Sequence, residues 1–351
     1  YNKCVKTLVF TGGHHTSALE VAKQLKRRGW RIIWFGHRHS MWSDKSDSAE
    51  YHDVTTSDIK FYNLQAGKFY RTFHPLKLIR IPWGFIQSFY WLLRLKPVGI
   101  VSFGGYLAVP TVITGWILGI PAITHEQTVV AGWANRLIAR FAQKIAVTWP
   151  DSARHYPKNK VIVTGLPLRP EIIKARNSKS EIKNLVYITG GKQGSHVINE
   201  TVFAALPQLL AKYTIIHQTG SSTLYNDFAQ AQSLIRPGYE VFDFDADLAI
   251  DAYRRAAIVV GRAGAHTVYE LGLLGKKSVL IPIPWVSHHE QDKNARILLD
   301  RHLAVVLPQS RLTPQSLITS LSQAATLTGQ PLDLPTTADR QLIQLIESTF
   351  S

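Results

Sequence analysis

Glu270 stands one helical turn beyond Thr267, and both follow the segment Gly261-Arg262-Ala263-Gly264. Small residues in such a segment let the backbone turn tightly against a ligand, and the helix that begins at His266 aims unpaired N–H groups at the same point. That is a seat for phosphate. Glu270 can accept hydrogen bonds from vicinal hydroxyls such as those of a ribose; its plainer role is a first-turn acid favoured by the helix dipole. A second polar cluster, His288-His289-Glu290-Gln291-Asp292-Lys293-Asn294-Ala295, follows Pro282-Ile283-Pro284. Each group is preceded by a short apolar run, Ile258-Val259-Val260 and Ser278-Val279-Leu280-Ile281, of the kind that forms buried strands of a parallel sheet. Two consecutive strand ends thus put polar groups on the carboxyl edge of an open sheet, where α/β folds bind ligands.

A third candidate lies near the start. Residues 5–10 read as a buried strand, Thr11-Gly12-Gly13-His14 as its turn, and residues 18–28 as a helix with Leu19, Ala22 and Leu25 on one face. This is not G-x-G-x-x-G, and no acid stands where a dinucleotide ribose needs one, which argues against a nicotinamide site. His14 at that turn can accept a proton near neutral pH; the alternative is an exposed or capping histidine. Further strands end at Phe103-Gly104-Gly105-Tyr106 and at His125-Glu126-Gln127-Thr128, so three strand ends offer polar or glycine residues on one rim.

The second half restarts the theme. Residues 185–188 form a strand pattern, and Thr189-Gly190-Gly191 repeats Thr11-Gly12-Gly13 at an offset of 178 residues, about half of the 351. Length and repeat together predict two doubly wound α/β domains facing each other across a cleft: residues 1–165, a linker at 166–183, and residues 184–351. The acids of Asp243-Phe244-Asp245-Ala246-Asp247 have the D-x-D spacing of metal-dependent sugar-nucleotide enzymes. Their position before a helix favours Asp245 or Asp247 as a helix cap instead.

Charge is unevenly shared. Residues 1–175 hold 24 Lys/Arg and 9 Asp/Glu, and the remainder 16 and 15, so nearly all of the net +16 lies in the first half. That asymmetry suits a polyanionic partner, an anionic membrane leaflet or nucleic acid. The stretch that begins at Lys60 and ends near Leu95 has no acid and interleaves basic residues with Phe69, Tyr70, Phe73, Trp83, Phe85, Phe89, Tyr90 and Trp91. Its apolar run is too short to span a bilayer. A helix lying in the membrane interface and a helix packed on the sheet both fit, on opposite faces. No pattern of a nucleic-acid-binding module accompanies it, so specific nucleic-acid binding ranks lower. The single cysteine, Cys4, excludes an internal disulfide, and with no secretory signal pattern it points to the cytoplasm.

Taken together, R-A-G-A-H-T-V-Y-E, I-P-x-P, H-E-Q-D-K-N-A, F-G-G-Y, H-E-Q-T, A-G-x-x-N and T-G-G-K-Q-G-S-x-x-I-N resemble the MurG-type glycosyltransferases, in one preserved order up to about residue 295. These are GT-B enzymes that move N-acetylglucosamine from its UDP donor to a lipid-linked acceptor. The resemblance implies a GT-B architecture of two Rossmann-like domains, with His14 as the base on the acceptor hydroxyl. It places Gly13, Gly104, Gly105, Tyr106, Glu126 and Asn135 on the acceptor side. It puts Arg169, Gly191, Gln193 and Gly194 near donor phosphate, and Phe244 and Asp245 at the uracil. Arg262, Ala265, His266, Thr267 and Glu270 would hold the nucleotide, and Glu290 and Gln291 the N-acetylglucosamine hydroxyls. It further implies an inverting reaction without metal or other cofactor, with UDP leaving against helix N-termini and Arg262 or Lys192. The acceptor it implies is undecaprenyl-pyrophosphoryl-MurNAc-pentapeptide, at the cytoplasmic face of the membrane.

The chain departs from the family pattern mainly on the acceptor side. Val9-Phe10 replace two glycines of the first loop, His15-Thr16-Ser17 replace the residues leading to a proline, Thr128 and Leu166 replace asparagines, and Lys192 replaces a serine. The first loop also resembles the acceptor-side subunit of the enzyme that adds the second N-acetylglucosamine to dolichol. A dolichol-type or diacylglycerol acceptor is therefore the alternative, and a noncatalytic nucleic-acid- or membrane-binding protein the rival from another class.

Overall fold

The computed structural model describes residues 5–39, 47–66, 80–176, 180–286 and 289–351. Cys4, Phe69, Tyr70, Phe73 and His288 lie outside the described residues. The chain forms two compact units, residues 1–169 with 335–351, and residues 170–334.

In the first unit the strands are β1 (Thr7–Thr11), β2 (Arg31–Gly36), β3 (Lys60–Asn63), β4 (Gly99–Ser102), β5 (Ala122–Glu126), β6 (Lys144–Val147) and β7 (Val161–Val163). They pair in parallel in the order β3-β2-β1-β4-β5-β6-β7, so the order reverses between β1 and β4. Side chains alternate between two cores, Leu8, Phe10, Ile32 and Trp34 on one face of the sheet and Val9, Ile33 and Phe35 on the other. Burial on both faces explains why these strands read as continuous apolar runs.

The second unit has β8 (Ile182–Thr189), β9 (Thr214–Gln218), β10 (Tyr239–Phe242), β11 (Ala256–Gly261), β12 (Lys277–Leu280) and β13 (Ala304–Val306). Its order, β10-β9-β8-β11-β12-β13, repeats that of the first six strands of the other sheet. Both sheets are doubly wound and Rossmann-like, with their switch points at β1/β4 and β8/β11.

The boundaries need correcting in two places. The final helix, Ala338–Phe350, was expected within a domain spanning 184–351, but Leu342, Ile343, Ile346 and Phe350 complete the core of the first sheet. Gln24 Nε2 donates to Asp339 at 2.8 Å, and Arg28 bridges Glu347 at 2.9 Å. Part of the expected linker is ordered too, since the helix Pro170–Ala175 belongs to the second unit.

The helix Arg80–Leu95 packs one side on the sheet, as one of its two readings expects, and leaves other apolar side chains exposed. Ser88 and Leu92 are fully buried, whereas Trp83, Ile86, Phe89, Tyr90 and Leu93 are 43 to 56% exposed. No described helix is long and apolar enough to cross a membrane.

Candidate active site

In the first unit the ends of β1 and β4 lie level, with Thr11 opposite Ser102, so the turns that follow run side by side. Phe103 N donates to Thr11 O at 2.7 Å and Gly13 N to Gly104 O at 3.0 Å. Gly12 has φ +139°, and a Cβ there would stand 2.7 Å from the Phe103 backbone, so only glycine fits. His14 then stands at the N-cap position of the helix His15–Arg27 without a side-chain cap hydrogen bond, and its Nδ1 lies 3.3 Å from Phe103 O. A carbonyl oxygen only accepts, so Nδ1 donates here, and in the neutral ring Nε2 then holds the lone pair. That is the tautomer a general base requires.

Beneath this turn sits a buried polar scaffold. Glu126, 2% exposed, accepts from Thr128 N at 3.0 Å, Thr128 Oγ1 at 2.9 Å, Asn135 Nδ2 at 2.6 Å and Tyr156 OH at 2.8 Å. Asn135, 7% exposed, returns its Oδ1 to Gly105 N at 3.0 Å. Both are residues expected on the acceptor side, and these hydrogen bonds also make them the support of Gly104-Gly105. Tyr106 is half-buried on the rim, 5.8 Å from the His37 ring. Burial, and then the Glu50 carboxylate, push its hydroxyl up to about 12, so it remains protonated. Buried His125 donates from Nε2 to Gly165 O at 3.0 Å, and burial pushes it down to about 4. It stays neutral at neutral pH, so it adds no positive charge beside His14.

The second unit builds a different turn at the equivalent place. Gly194, at φ +82°, approaches the Thr219-Gly220 turn so closely that a Cβ on it would fall 1.9 Å from Thr219 O. Tyr187 OH donates to Gln218 Oε1 at 2.7 Å, and Gln218 Nε2 donates to Gly191 O at 2.8 Å, bracing the loop from below. Gln193 is exposed on it, and Lys192 Nζ lies 5.4 Å from the centre of the half-buried Phe244 ring. Arg262, from the end of β11, donates to Ser195 Oγ at 2.7 Å and to Ile281 O at 3.0 Å. Burial pushes its guanidinium down to about 10, which leaves it cationic at neutral pH. The helices His196–Leu210 and Ala265–Leu274 begin beside it, and neither Ser195 nor Gly264 caps its helix with a side chain. Two sets of first-turn N–H groups and the Arg262 cation thus border this edge, the composition of an anion site.

The remaining expected donor residues take the following places. Ala265 and Glu270 are buried in the helix Ala265–Leu274, with Glu270 7% exposed, while His266 and Thr267 are half-buried at its start. Glu290 opens the helix Glu290–Leu299, and Gln291 Oε1 accepts from Ile283 N at 3.0 Å. Asp245 is a helix cap, its Oδ1 accepting from Asp247 N at 2.8 Å and Leu248 N at 2.9 Å. Arg169 closes the first segment of the first unit, with a buried Nε that has no hydrogen-bond partner among the described residues.

Both halves match sequence profiles of one family. Residues 8–147 match the glycosyltransferase family 28 N-terminal domain, and residues 185–339 match its C-terminal domain. A Bacillus thuringiensis (strain Al Hakam) protein is 34% identical over 330 residues, 90% of this chain and 90% of its own. Its name is UDP-N-acetylglucosamine--N-acetylmuramyl-(pentapeptide) pyrophosphoryl-undecaprenol N-acetylglucosamine transferase 3. The chain belongs to glycosyltransferase family 28, in its MurG type. A transferase of the same name from Legionella pneumophila (strain Lens), without the number, is 29% identical over 331 residues, 90% of this chain and 88% of its own. The crystal structure of Acinetobacter baumannii MurG superposes with a TM-score of 0.69 at 26% identity, covering 98% of this chain and 99% of that one. The Neisseria meningitidis UDP-GlcNAc 2-epimerase shares the fold, with a TM-score of 0.65 at 14% identity over 98% of this chain and 100% of that one. The GT-B fold of family 28 is therefore the architecture of this chain.

Several supporting residues escape sequence reasoning. Tyr156 reaches Glu126 from a 3-10 turn 30 positions away, and Gln218 and Tyr187 lie inside strands that read as plain core. The Thr219-Gly220 turn was legible in principle, as one more glycine directly after a strand. His196 pairs with Asp227 at 2.7 Å, and Asn199 Nδ2 joins the same carboxylate at 2.7 Å. Glu200 brings a third possible ligand atom, all three within 4.8 Å. Among the described residues this group, rather than the D-x-D acids, has metal-ligand spacing.

Proposed function

We propose that this chain transfers N-acetylglucosamine from UDP-N-acetylglucosamine to a lipid-diphosphate-linked sugar, with undecaprenyl-pyrophosphoryl-MurNAc-pentapeptide as the acceptor. The names of its family 28 relatives support the substrates, and the tautomer of His14 carries the chemistry. His14 Nε2 takes the proton of the acceptor hydroxyl as that oxygen bonds the anomeric carbon. The bond from that carbon to the UDP β-phosphate oxygen breaks, and attack from the opposite side inverts the anomer. Negative charge gathers on UDP, where Arg262 and the N-termini at His196 and Ala265 stabilise it. Glu270 holds the ribose, and Glu290 and Gln291 read the sugar. No metal is required in this scheme, which agrees with Asp245 being committed to its helix cap.

The chain works peripherally on the cytoplasmic face of the membrane. Support comes from the exposed apolar side of the helix Arg80–Leu95, which with Ile117 lines an apolar groove of about 660 Å³. The basic excess of the first 175 residues gives that surface an attraction for anionic lipid.

One assay tests the reading: labelled UDP-N-acetylglucosamine with lipid acceptors presented in anionic vesicles. The wild-type chain should float with the vesicles and transfer sugar with or without a chelator. His14→Ala should bind UDP as before but turn over roughly 10²- to 10⁴-fold more slowly. Unchanged turnover removes His14 from the mechanism, and preference for a dolichol-type or diacylglycerol acceptor replaces the acceptor named here.

A further inference from the structure

The helix Ala49–Thr56 follows a segment without motifs, yet it serves the acceptor rim of the first unit. Ser48, its cap, ties it to the end of β2: Ser48 Oγ donates to His37 O at 2.8 Å and accepts from Tyr51 N at 3.1 Å. From that anchored position Glu50 and Asp53, three residues apart, share a face. His15 Nε2 donates to Asp53 Oδ2 at 3.1 Å. Trp34 Nε1 donates to Glu50 Oε1 at 2.8 Å, and His37 N reaches Oε2 at 3.4 Å. His37 in turn faces Tyr106 across 5.8 Å between ring centres.

We infer that Asp53 and Glu50 are positioning residues of the acceptor side, Asp53 acting on His14 through His15 and Glu50, itself held by Trp34, acting on Tyr106 through His37. This rests on the transferase reading above. The entry into helix His15–Arg27 is held by three side-chain anchors within four residues: His14 to Phe103 O, His15 to Asp53, and Ser17 Oγ to Pro167 O at 2.8 Å. His15 and Ser17 are also where the first loop departs from the family pattern, and both have partners inside this unit. Asp53 therefore controls where Nε2 of His14 points, a matter of turnover. Glu50 controls the seat of the rim aromatic pair, a matter of acceptor binding.

The two roles separate kinetically in the full chain assayed with the lipid acceptor. Asp53→Ala should lower kcat by about tenfold or more through misplacement of the base, with the acceptor and donor KM little changed. Asp53→Asn, which still offers an oxygen to His15, should fall between it and wild type. His15→Ala with Asp53→Ala should be no slower than the slower single variant, because both remove one interaction. Glu50→Gln should raise the acceptor KM by about fivefold and leave the donor KM alone. UDP affinity and a cooperative thermal transition, at a midpoint no lower than that of the wild type, show that each variant folds. Uniform loss of stability and of every kinetic parameter, or variants indistinguishable from wild type, overturns the positioning roles. A wild-type chain that transfers sugar to no lipid acceptor overturns the transferase reading and these roles with it.

Discussion

The turn at Gly12-Gly13-His14 and the turn at Gly190 to Ser195 occupy the same place in sheets of the same strand order. They differ in what surrounds them. The first closes on the backbone of Phe103 and Gly104 and rests on a buried carboxylate, Glu126, whose four hydrogen bonds keep the layer below rigid. What it offers to the proposed reaction is a lone pair on one imidazole. The second closes on Thr219-Gly220 and is flanked by Arg262, Lys192 and two helix N-termini without side-chain caps. Its functional atoms are hydrogens. Under the proposed mechanism one topology supplies a proton acceptor in one domain and an anion seat in the other, and the distinction lies in the partners of the turn.

The sharpest way to break the comparison is to add a methyl group to each turn. Gly194→Ala places a Cβ 1.9 Å from Thr219 O at a φ of +82°, and backbone cannot swing aside as a flexible side chain can. We expect a loss of several kcal/mol in the stability of the second unit, by denaturant unfolding, together with loss of UDP binding. Gly13→Ala meets nothing within 4 Å and should change stability by no more than about 0.5 kcal/mol. Equal tolerance at both positions would mean that the second turn does not depend on close approach.

The turns themselves were legible because an apolar run followed at once by glycine is a local signal, and both domains repeat it. The partners were not legible, because they come from distant segments. Nothing in the spacing of Glu126, Asn135 and Tyr156 says that the carboxylate faces inward; the bond from Tyr156, just past the 3-10 turn Pro150–His155, does so. The final helix shows the same limit. Its periodicity exposes an apolar face at Leu342, Ile343 and Ile346 but not which of two similar sheets receives it. Glu50 and Asp53 were missed because acids on a short polar helix look like solvent-facing charge until Trp34 and His15 are brought to them. The D-x-D acids were read correctly as a cap because cap chemistry is local.

A smaller effect tests the anion seat without altering its backbone. Arg262→Ala removes a cation and leaves Ser195 Oγ and Ile281 O without it. The Kd for UDP, by titration calorimetry, should rise by about 10- to 100-fold, the usual cost of losing a charged hydrogen-bonding group. Affinity for the lipid acceptor alone should not move. A parallel loss of acceptor affinity would show that the division of labour between the two turns is not as drawn.

The smallest effect concerns pH and separates the two units by their buried titratable groups. Burial pushes Glu50 in the first unit up to about 7, and pushes His125 down to about 4 and His217 in the second unit down to about 3. A carboxyl raised from 4.5 favours the folded state below that pH and loses this contribution as pH rises through about 7. The histidines act in the opposite sense, losing stability as pH falls below about 6.5. On acidification the first unit therefore has Glu50 offsetting His125, while His217 has no such counterpart among the shifted groups. Tryptophan fluorescence isolates the first unit, since Trp285 is the one tryptophan of the sequence within residues 170–334. Glu50→Gln should stabilise the first unit at pH 8 by about 1 to 2 kcal/mol, after allowing for solvent screening, and by nothing measurable at pH 4. A variant that is instead less stable at pH 8 would make Glu50 a charge the first unit needs ionised, and the polar layer under its rim would then resemble the cation-lined turn of the second unit more than the contrast allows.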